Sequence, residues 1–429
     1  MNVIFTIVAR NYLPLAMTLA DRVKVHHPGM DFYIFLADEI LGSFDPAEIN
    51  VPVIEVKNMG IDNLQDMAFK YNVTEFCTAV KPFCFDYLFR KGYTKAIYFD
   101  PDIYVLNSLD GIFNDLDNNF IVLTPHYITP EVNYTGVVPE GLILFVGIYN
   151  CGFVALKNDT NGNIVVSWWM NRLRDKAYAD KLEGFHTDQK WMDFIPGYFG
   201  TGVAISRNLG YNMSVWNLHE RRIEIDGDKI TIHHKQGLYP SVPLTFFHFA
   251  GFDANNLSLV HKNYPMVSIS NYPGLEKLYA RYKEDLVRHQ FDRFIKLPYH
   301  YNFYSNKMPV VQFQRRIYKQ LVREGWKFND PFTVGADSFY ELMKSNRMLV
   351  KPTNSRNIDR MNERSLSDFG SKIRIINVGA RMVKFIVGFQ NYALLSKFFL
   401  RYFRPENQTF LVKQVKKYRF VNENSGDEA

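Results

Sequence analysis

The sequence of 429 residues has few cysteines and no long apolar segment. Its three cysteines, Cys77, Cys84 and Cys151, are odd in number and lack the paired C-x-x-C spacing, so they predict neither a disulfide framework nor a zinc or redox site. The longest apolar stretch, residues 141–156, is interrupted by Asn150 and falls short of a bilayer span. The N-terminal apolar run is too short for a signal peptide. These absences predict a cytoplasmic protein with no segment that crosses a membrane.

Low-complexity tracts are also missing, which argues against a disordered or fibrous chain. Hydrophobic residues make up 47% of the sequence and aromatic residues 16%, so the chain can bury a large core. Charge is distributed unevenly, because residues 371–421 hold eleven Lys and Arg against a single acid, Glu406. The remaining residues carry 39 basic and 43 acidic side chains, a net charge of −4. The basic character therefore belongs to a C-terminal segment.

Short β-rich runs alternate with helical stretches in the first part of the chain. A helix is predicted over residues 13–26 and another over residues 166–179. This alternation is typical of βαβ units and predicts an α/β fold with a mostly parallel sheet. The first four predicted strands lie at residues 3–8, 32–36, 51–56 and 95–99.

After about residue 265 the pattern turns helical. Apolar residues at helical spacing predict helices over residues 275–293 and 311–324. We therefore expect three regions: an α/β domain, a helical extension, and a basic aromatic C-terminal segment. Their predicted boundaries are 1–262, 263–370 and 371–429.

The first residues that could carry chemistry are Asp100 and Asp102, which follow the predicted strand at 95–99. Two carboxylates at this spacing offer hard oxygen ligands to a divalent cation, which in turn neutralises a diphosphate. The alternative is an ordinary turn that ends the strand. The same Asp-x-Asp spacing recurs at a predicted helix end and in a hairpin turn, at Asp115/Asp117 and Asp226/Asp228.

His248 and Asp188 are the next candidates. His248 lies in an apolar run, where a histidine is usually a hydrogen-bonded core residue. A neutral imidazole beside two carboxylates is nevertheless a suitable third ligand for Mn²⁺ or Mg²⁺. Asp188 follows Thr187 at a predicted helix start, so it either stabilises that helix end or contacts a substrate hydroxyl.

Several short motifs occur in a recognisable order. They are Ala9-Arg-Asn-Tyr12, Lys81-Pro82, Tyr98-Phe-Asp-Pro-Asp102, Asn150-Cys-Gly-Phe153, Asp188-Gln-Lys190 and His248-x-x-Gly251. Their order and spacing resemble the nucleotide-sugar glycosyltransferases of the GT-A fold, in particular family 8 and the bacterial surface-polysaccharide enzymes related to it. The resemblance covers roughly residues 1–260, and it implies that residues 1–262 form a nucleotide-sugar-binding and catalytic domain.

The resemblance implies roles for individual residues. Asp100, Asp102 and His248 would bind the Mn²⁺ or Mg²⁺ ion that grips the diphosphate of the donor. A second group would bind the nucleotide, with Lys81 near the base or ribose, and a third would face the sugar and the acceptor. The nucleotide-binding group is Ala9, Asn11, Tyr12, Lys81, Phe99 and Asp100, and the catalytic group is Asn150, Asp188 and Gln189.

The resemblance also implies an activity: metal-dependent transfer of a sugar, UDP-linked, to a glycan or lipid-linked glycan acceptor in surface polysaccharide synthesis. Retention of the anomeric configuration is implied as well, although inverting enzymes share the fold. One departure is the missing lysine after the His248-x-x-Gly251 motif, whose role Lys262 could take. Two alternatives are a carbohydrate-binding or scaffold protein without turnover, and a nucleotidyltransferase, which needs a glycine-rich loop that residues 7–12 lack.

The basic segment at residues 371–421 interleaves its positive charges with aromatic residues. An amphipathic segment of this kind suits the surface of an anionic bilayer, which predicts peripheral association with the inner face of the cell membrane. The alternative is a helical subdomain whose rings form its core. Nucleic-acid binding is disfavoured, because the rest of the chain is acidic and no binding-module motif accompanies the segment.

Overall fold

The computed structural model describes residues 1–227, 229–352, 359 and 369–413. Strands and helices alternate through the first half of the chain, and helices dominate the second half. The strands are β1 (Asn2–Val8), β2 (Asp31–Leu36), β3 (Val53–Glu55), β4 (Lys95–Phe99), β5 (Ile103–Val105), β6 (Ile121–Leu123), β7 (Phe153–Lys157), β8 (Ala179–Asp180), β9 (Phe185–His186), β10 (Val203–Ile205), β11 (Arg221–Asp226), β12 (Lys229–His234), β13 (Val242–Pro243) and β14 (Phe246–His248). The α-helices are α1 (Leu13–His26), α2 (Leu64–Lys70), α3 (Val73–Ala79), α4 (Lys81–Arg90), α5 (Asp110–Asn118), α6 (Glu140–Val146), α7 (Thr160–Asp175), α8 (Ile195–Phe199), α9 (Leu275–Arg288), α10 (Phe291–Phe294), α11 (Gln312–Arg323), α12 (Phe339–Ser345) and α13 (Phe369–Tyr402).

These elements form two compact units. The first unit comprises residues 1–62 and 73–299. The second comprises residues 63–72 together with the described residues from 300 onward. The units thus divide near residue 299, whereas the boundaries expected after residues 262 and 370 rest on sequence composition and stay predictions.

The first unit is built on a seven-stranded sheet with the order β10-β6-β7-β4-β1-β2-β3. Parallel pairs are β1 with β2, β1 with β4, β2 with β3, and β6 with β10, while β7 runs antiparallel to β4 and β6. Strands β1 and β4 are buried along almost their whole length, as in sheets covered on both faces. The expected fold class, a mostly parallel α/β sheet with helices and a helical C-terminal region, is confirmed.

Individual elements agree with the sequence to different degrees. The first helix and the strand before Asp100 have the predicted bounds, Leu13–His26 and Lys95–Phe99. The helix predicted over residues 166–179 corresponds to α7, Thr160–Asp175, which begins and ends earlier than predicted. Its first turn is capped by Asp159, whose carboxylate accepts a 2.9 Å hydrogen bond from the backbone N–H of Gly162. This cap stabilises the helical conformation of the polar residues at the start of α7, Thr160-Asn-Gly-Asn163.

The pairing of β5 with β14 brings distant segments together. Strand β5 follows β4 after the turn that carries Asp100 and Asp102, and in the antiparallel register His248 lies opposite Ile103. The backbone N–H of Phe249 donates to the carbonyl of Asp102 at 2.8 Å. The segment around His248 is thereby held against the end of β4.

In the second unit, Arg315 of α11 holds the short segment of residues 63–72. Its guanidinium is almost fully buried and donates to the carbonyls of Ala68 at 3.1 Å, Phe69 at 2.6 Å and Tyr71 at 2.8 Å. These bonds satisfy several backbone acceptors with one side chain. They explain why residues 63–72 belong to the second unit.

Helix α13 is long and exposed. It is interrupted at Gly388, which has φ 78° and ψ 162°. Phe385, Ile386 and Phe389 are 88%, 78% and 74% exposed. Among the described residues, no helix is long and apolar enough to span a membrane. The rest of the predicted basic segment, residues 414–421, lies outside the described residues.

Candidate active site

The carboxylates of Asp100 and Asp102 meet the imidazole of His248 at the carboxyl end of β4. One ligand atom from each residue lies within 4.8 Å of the others. Nε2 of His248 is 3.2 Å from Oδ1 of Asp102 and 3.8 Å from Oδ2 of Asp100. The carboxylate side chains are 32% and 23% exposed, so the cluster is reachable from solvent. Two carboxylates and one imidazole fit Mn²⁺ or Mg²⁺.

The other Asp-x-Asp pairs have structural explanations. Asp117 lies near the end of α5 and pairs with Lys95. Asp226 borders the turn at Gly227 between β11 and β12, which confirms the predicted hairpin. Asp228 lies outside the described residues. Among the described members of these three pairs, Asp100 and Asp102 are the ones that lie beside a histidine, His248.

Asn212 sets the orientation of His248. Nδ1 of His248 lies 3.1 Å from Oδ1 of Asn212, which accepts its proton and leaves Nε2 facing the carboxylates. The amide of Asn212 donates to Oγ1 of Thr124 at 2.9 Å and to Oδ1 of Asn150 at 3.0 Å. Asn212 also has a φ of 49°, which asparagine tolerates better than most residues. The sequence reasoning missed this residue.

Two glycines of the sequence motifs lie against imidazole rings, Gly152 at the cluster itself and Gly251 at His261. A Cβ at Gly152 would overlap the ring of His248 and come within 2.9 Å of Oδ2 of Asp100. Gly251 has a φ of 67°, and a Cβ there would overlap the ring of His261. The glycines of the Asn150-Cys-Gly and His248-x-x-Gly motifs are therefore required by space, and Gly251 also by its backbone conformation.

Lys81 and Asp188 form a buried ion pair beside the cluster, with side chains 1% and 3% exposed. Nζ of Lys81 also donates to the carbonyl of Cys151 at 2.7 Å. Asp188 accepts a 3.2 Å hydrogen bond from the hydroxyl of Thr187. Asp188 directly precedes the 3-10 helix Gln189–Phe194, where the sequence predicts a helix start, but its side chain makes no capping hydrogen bond to that helix.

Charges in the site influence one another. Burial alone would lower the pKa of Lys81, but the carboxylates of Asp188 and Asp100 outweigh it and raise that pKa. Burial raises the pKa of Asp100. Burial also opposes ionisation of Asp102 and His248, yet their mutual attraction lowers the pKa of Asp102 and raises the pKa of His248. The charged groups therefore stabilise one another across the site.

Asn150 and Gln189 lie at the site, but they bind the protein backbone as well. Gln189 accepts from the backbone N–H of Cys151 at 3.0 Å and donates to the carbonyl of Val146 at 2.9 Å. Oδ1 of Asn150 accepts from the backbone N–H of Gly152 at 3.2 Å. Both amides thus hold the loop next to the cluster.

The residues expected to bind the nucleotide differ in accessibility. Ala9, Asn11 and Tyr12 follow the carboxyl end of β1, and Tyr12 is 39% exposed. Phe99 is fully buried, and its ring packs against Phe246 with centroids 5.0 Å apart. Phe99 thus offers no exposed surface to a ligand, and its predicted contact with the nucleotide stays a prediction.

A cavity of about 200 Å³ adjoins the cluster. Asn150 and Gln189 line it together with residues that the sequence reasoning did not single out as site residues, among them Trp216 and His261. The ring of Trp216 contacts that of His248 edge-to-face, with centroids 5.1 Å apart. The cavity and the metal-ligand cluster therefore share a wall.

Comparison with known proteins gives one curated relative. No protein-family model matches the chain. The uncharacterized protein YfnF of Bacillus subtilis (strain 168) is 21% identical over 295 residues, which cover 66% of this chain and 92% of that protein. At this identity the relative assigns no family.

The solved structures that the chain resembles include glycosyltransferases. One is the galactosyltransferase LgtC in complex with donor and acceptor sugar analogues, at 18% identity and a TM-score of 0.39, covering 70% of this chain and 98% of that one. Another is the glycosyltransferase GlyE of Streptococcus pneumoniae TIGR4, at 13% identity and a TM-score of 0.37, covering 71% and 67%. TM-scores below 0.5 are too low to assign an activity, so the function is inferred below from the site itself.

Proposed function

We propose that this protein is a metal-dependent glycosyltransferase that moves a sugar from a nucleotide diphosphate sugar, UDP-linked, to a glycan or lipid-linked glycan acceptor. The observation that carries the proposal is the convergence of Asp100, Asp102 and His248 at the carboxyl end of β4. Open α/β sheets bind ligands outside the carboxyl ends of their strands. The buried pair of Lys81 and Asp188 lies beside this cluster.

Asp100, Asp102 and Nε2 of His248 would hold Mn²⁺ or Mg²⁺. The donor set fits, because Asn212 leaves Nε2 available and Gly152 leaves space beside it. Such an ion balances the negative charge that develops on a leaving diphosphate. Lys262 supplies a further positive charge, since it acts together with His248 in lowering the pKa of Asp102. It is our candidate for the role of the missing motif lysine.

Asp188 is the residue that we propose to orient donor and acceptor. Its ion pair with Lys81 and its hydrogen bond from Thr187 fix the carboxylate in one place, as a positioning group requires. Asn150 and Gln189 would act from the same side.

Thermal stabilisation of the purified protein by a panel of nucleotide sugars tests this function. A ligand at 100 times its dissociation constant adds about 2.7 kcal/mol to the free energy of unfolding, so the donor should raise Tm in the presence of Mn²⁺. Release of nucleoside diphosphate with a panel of acceptors then measures turnover.

Three results would count against the proposal. If nucleotides with Mn²⁺ did not change Tm, the protein would not have the proposed donor site. If EDTA did not change the Tm increase, donor binding would not require a metal ion. A shift without turnover on any acceptor would favour the carbohydrate-binding or scaffold alternative. Formation of a nucleotide sugar from a nucleoside triphosphate and a sugar phosphate would favour the nucleotidyltransferase.

We also propose that α13 binds the surface of an anionic membrane. Its exposed Phe385, Ile386 and Phe389 do not suit a packed core. Each Lys or Arg near anionic headgroups contributes about 1 kcal/mol. A membrane surface is also where a lipid-linked acceptor would be presented. The helix contains no acidic residue and six cations: Lys372, Arg374, Arg381, Lys384, Lys397 and Arg401.

A further inference from the structure

Tyr98 on strand β4 lies between the metal-ligand cluster and the buried ion pair of Lys81 and Asp188. It is the next-to-last residue of the strand and is only 2% exposed. Its ring packs against that of Phe5 on the neighbouring strand β1, with centroids 5.3 Å apart. Because β4 is the middle strand of the seven-stranded sheet, the close-packed core fixes the position of this ring.

The hydroxyl group of Tyr98 contacts one of the metal ligands. It donates a hydrogen bond to Oδ1 of Asp100, and the other carboxylate oxygen, Oδ2, lies 3.8 Å from Nε2 of His248. The backbone N–H of Asp100 donates to the carbonyl of Gly152 at 2.7 Å. Both the backbone and the side chain of Asp100 are therefore held, and the hydroxyl group determines which carboxylate oxygen faces His248.

The ring of Tyr98 contacts the buried cation of the site. Nζ of Lys81 lies 4.0 Å from the ring centroid, within the range of a cation–π interaction. An ammonium group has three N–H donors. One faces the carboxylate of Asp188 and one donates to the carbonyl of Cys151, so the face of the Tyr98 ring is the partner of the third. A buried cation requires such pairing.

Packing alone does not explain the hydroxyl group of Tyr98. A phenylalanine at this position would fill nearly the same volume in the core, and volume-conserving replacements are the ones that cores tolerate best. The hydroxyl group instead contacts a residue of the proposed metal site, while the ring contacts the lysine that holds Asp188. One side chain therefore contacts both parts of the site.

We infer that Tyr98 is a positioning residue with two separable roles. Its hydroxyl group orients Asp100 for metal binding, and the face of its ring holds Lys81 so that Asp188 stays in place for the substrate. The inference rests on the proposed function, and it adds the residue that fixes the metal site and the carboxylate of Asp188 relative to each other.

Two substitutions separate these roles. Tyr98→Phe removes the hydroxyl group and keeps the ring, whereas Tyr98→Leu removes both. The matched control is Tyr93→Phe, because the hydroxyl group of Tyr93 also donates to a carboxylate, Oδ2 of Asp31 at 2.8 Å, at the opposite, amino end of the parallel strands. Titration calorimetry measures Mn²⁺ affinity, release of nucleoside diphosphate gives kcat and KM, and a thermal melt gives Tm.

We expect Tyr98→Phe to weaken Mn²⁺ binding about 10- to 100-fold, the usual range for a residue that orients a metal ligand. Its change in Tm should be no larger than that of Tyr93→Phe. At saturating Mn²⁺ its kcat should return close to the wild-type value, because Lys81 keeps its contact with the ring. Tyr98→Leu should bind Mn²⁺ as weakly, but its kcat should stay roughly threefold to 30-fold lower at saturating Mn²⁺, which corresponds to loss of the cation–π contact.

The role of the hydroxyl group would be overturned if Tyr98→Phe bound Mn²⁺ as tightly as Tyr93→Phe. The role of the ring would be overturned if Tyr98→Leu regained the wild-type kcat at saturating Mn²⁺. If the leucine variant does not fold, Tyr98→Met, whose flexible side chain fills irregular space, provides the same test of the ring. Either negative result would leave the proposed function standing. Failure of the wild-type protein to bind Mn²⁺ would instead contradict the proposed function.

Discussion

The cluster of Asp100, Asp102 and His248 differs from helix α13 in how its charges are arranged. At the cluster, Asp102 faces His248, and Asp188 faces Lys81, so that charges of both signs are paired within a few ångströms. Along α13, cations such as Arg381 and Lys384 follow one another with no acid in the helix, beside exposed apolar side chains. In the proposed function, a metal ion bound by Asp100, Asp102 and His248 would replace the pairing between Asp102 and His248. Helix α13 instead carries charge of one sign, which suits the anionic membrane surface proposed above.

Binding at the cluster and binding at α13 should differ in their dependence on salt concentration. Attraction between partly buried charges, such as those of the cluster, is screened less by salt, whereas exposed charges lose most of their attraction beyond a Debye length of about 8 Å at physiological ionic strength. Binding of Mn²⁺ at the cluster should therefore change little between low and high salt. Binding of α13 to anionic vesicles should be lost over the same range.

The largest effect is expected from Asp102→Ala, which removes a ligand from the cluster. Turnover should fall by a factor on the order of 10³ or more, since the charge on the leaving group is no longer balanced. Tm should change little, because the carboxylate is partly exposed and the carbonyl that binds Phe249 is retained. Asp110→Ala, at an exposed carboxylate, is the control for both measurements. A variant at Asp102 with the wild-type kcat would refute the metal assignment.

Asp188→Asn tests whether the buried pair is chemical as well as structural. Turnover should fall by roughly 10²-fold if the carboxylate positions the substrate. The free energy of unfolding should fall too, by up to about 3–5 kcal/mol, because Lys81 loses its charged partner. Denaturant unfolding and steady-state kinetics measure the two effects.

The double variant Lys81→Met/Asp188→Asn separates these effects. It should recover much of the lost stability, because no unpaired cation remains buried, while turnover stays low. Recovery of turnover along with stability would make Asp188 a purely structural residue.

Asn212 is expected to act on metal affinity through His248. Removing the side chain in Asn212→Gly keeps the positive φ accessible and should weaken Mn²⁺ binding about 10- to 100-fold, the usual range for partners that orient a ligand. Asn212→Asp keeps an acceptor for Nδ1 of His248 and should retain most of the affinity. Equal losses in both variants, measured by titration calorimetry, would show that the bonds to Thr124 and Asn150 matter instead.

An effect within the range given for Asn212 is expected at α13, but on membrane binding instead of metal binding. Arg381→Gln/Lys384→Gln removes two cations, each contributing about 1 kcal/mol, so binding to phosphatidylglycerol vesicles at low salt should weaken by roughly 30-fold. Arg222→Gln/Lys229→Gln, at exposed cations of the first unit, is the matched control. Co-sedimentation measures the change. Equal binding to neutral and anionic vesicles would contradict the prediction, because the positive charge of α13 would then make no contribution to membrane binding.

Strand β4 shows how far sequence reasoning reaches. Its bounds and the position of Asp100 after it follow from a short apolar run. The alternation of side chains along a strand also separates Tyr98, which donates to Asp100, from Phe99, which packs in the core. The role of Phe99 in nucleotide binding stays a prediction.

Other site residues leave no signal in local sequence. Asn212 and Trp216 lie in a segment without periodicity, and their roles depend on contacts with His248, which is distant in the chain. The partner of Asp188 is Lys81, which is even more distant in the chain, so the local helix-start pattern gave no sign of this contact. Only the fold brings these residues together.

Gly152 has a consequence for how the gene can vary. Every single-base missense change of a glycine codon introduces a residue with a Cβ, and at this position that atom would occupy the space held by His248 and Asp100. No conservative replacement therefore exists one mutational step away. Homologues that retain the proposed activity should therefore keep glycine at position 152. A different residue at this position would indicate a homologue that has lost this activity.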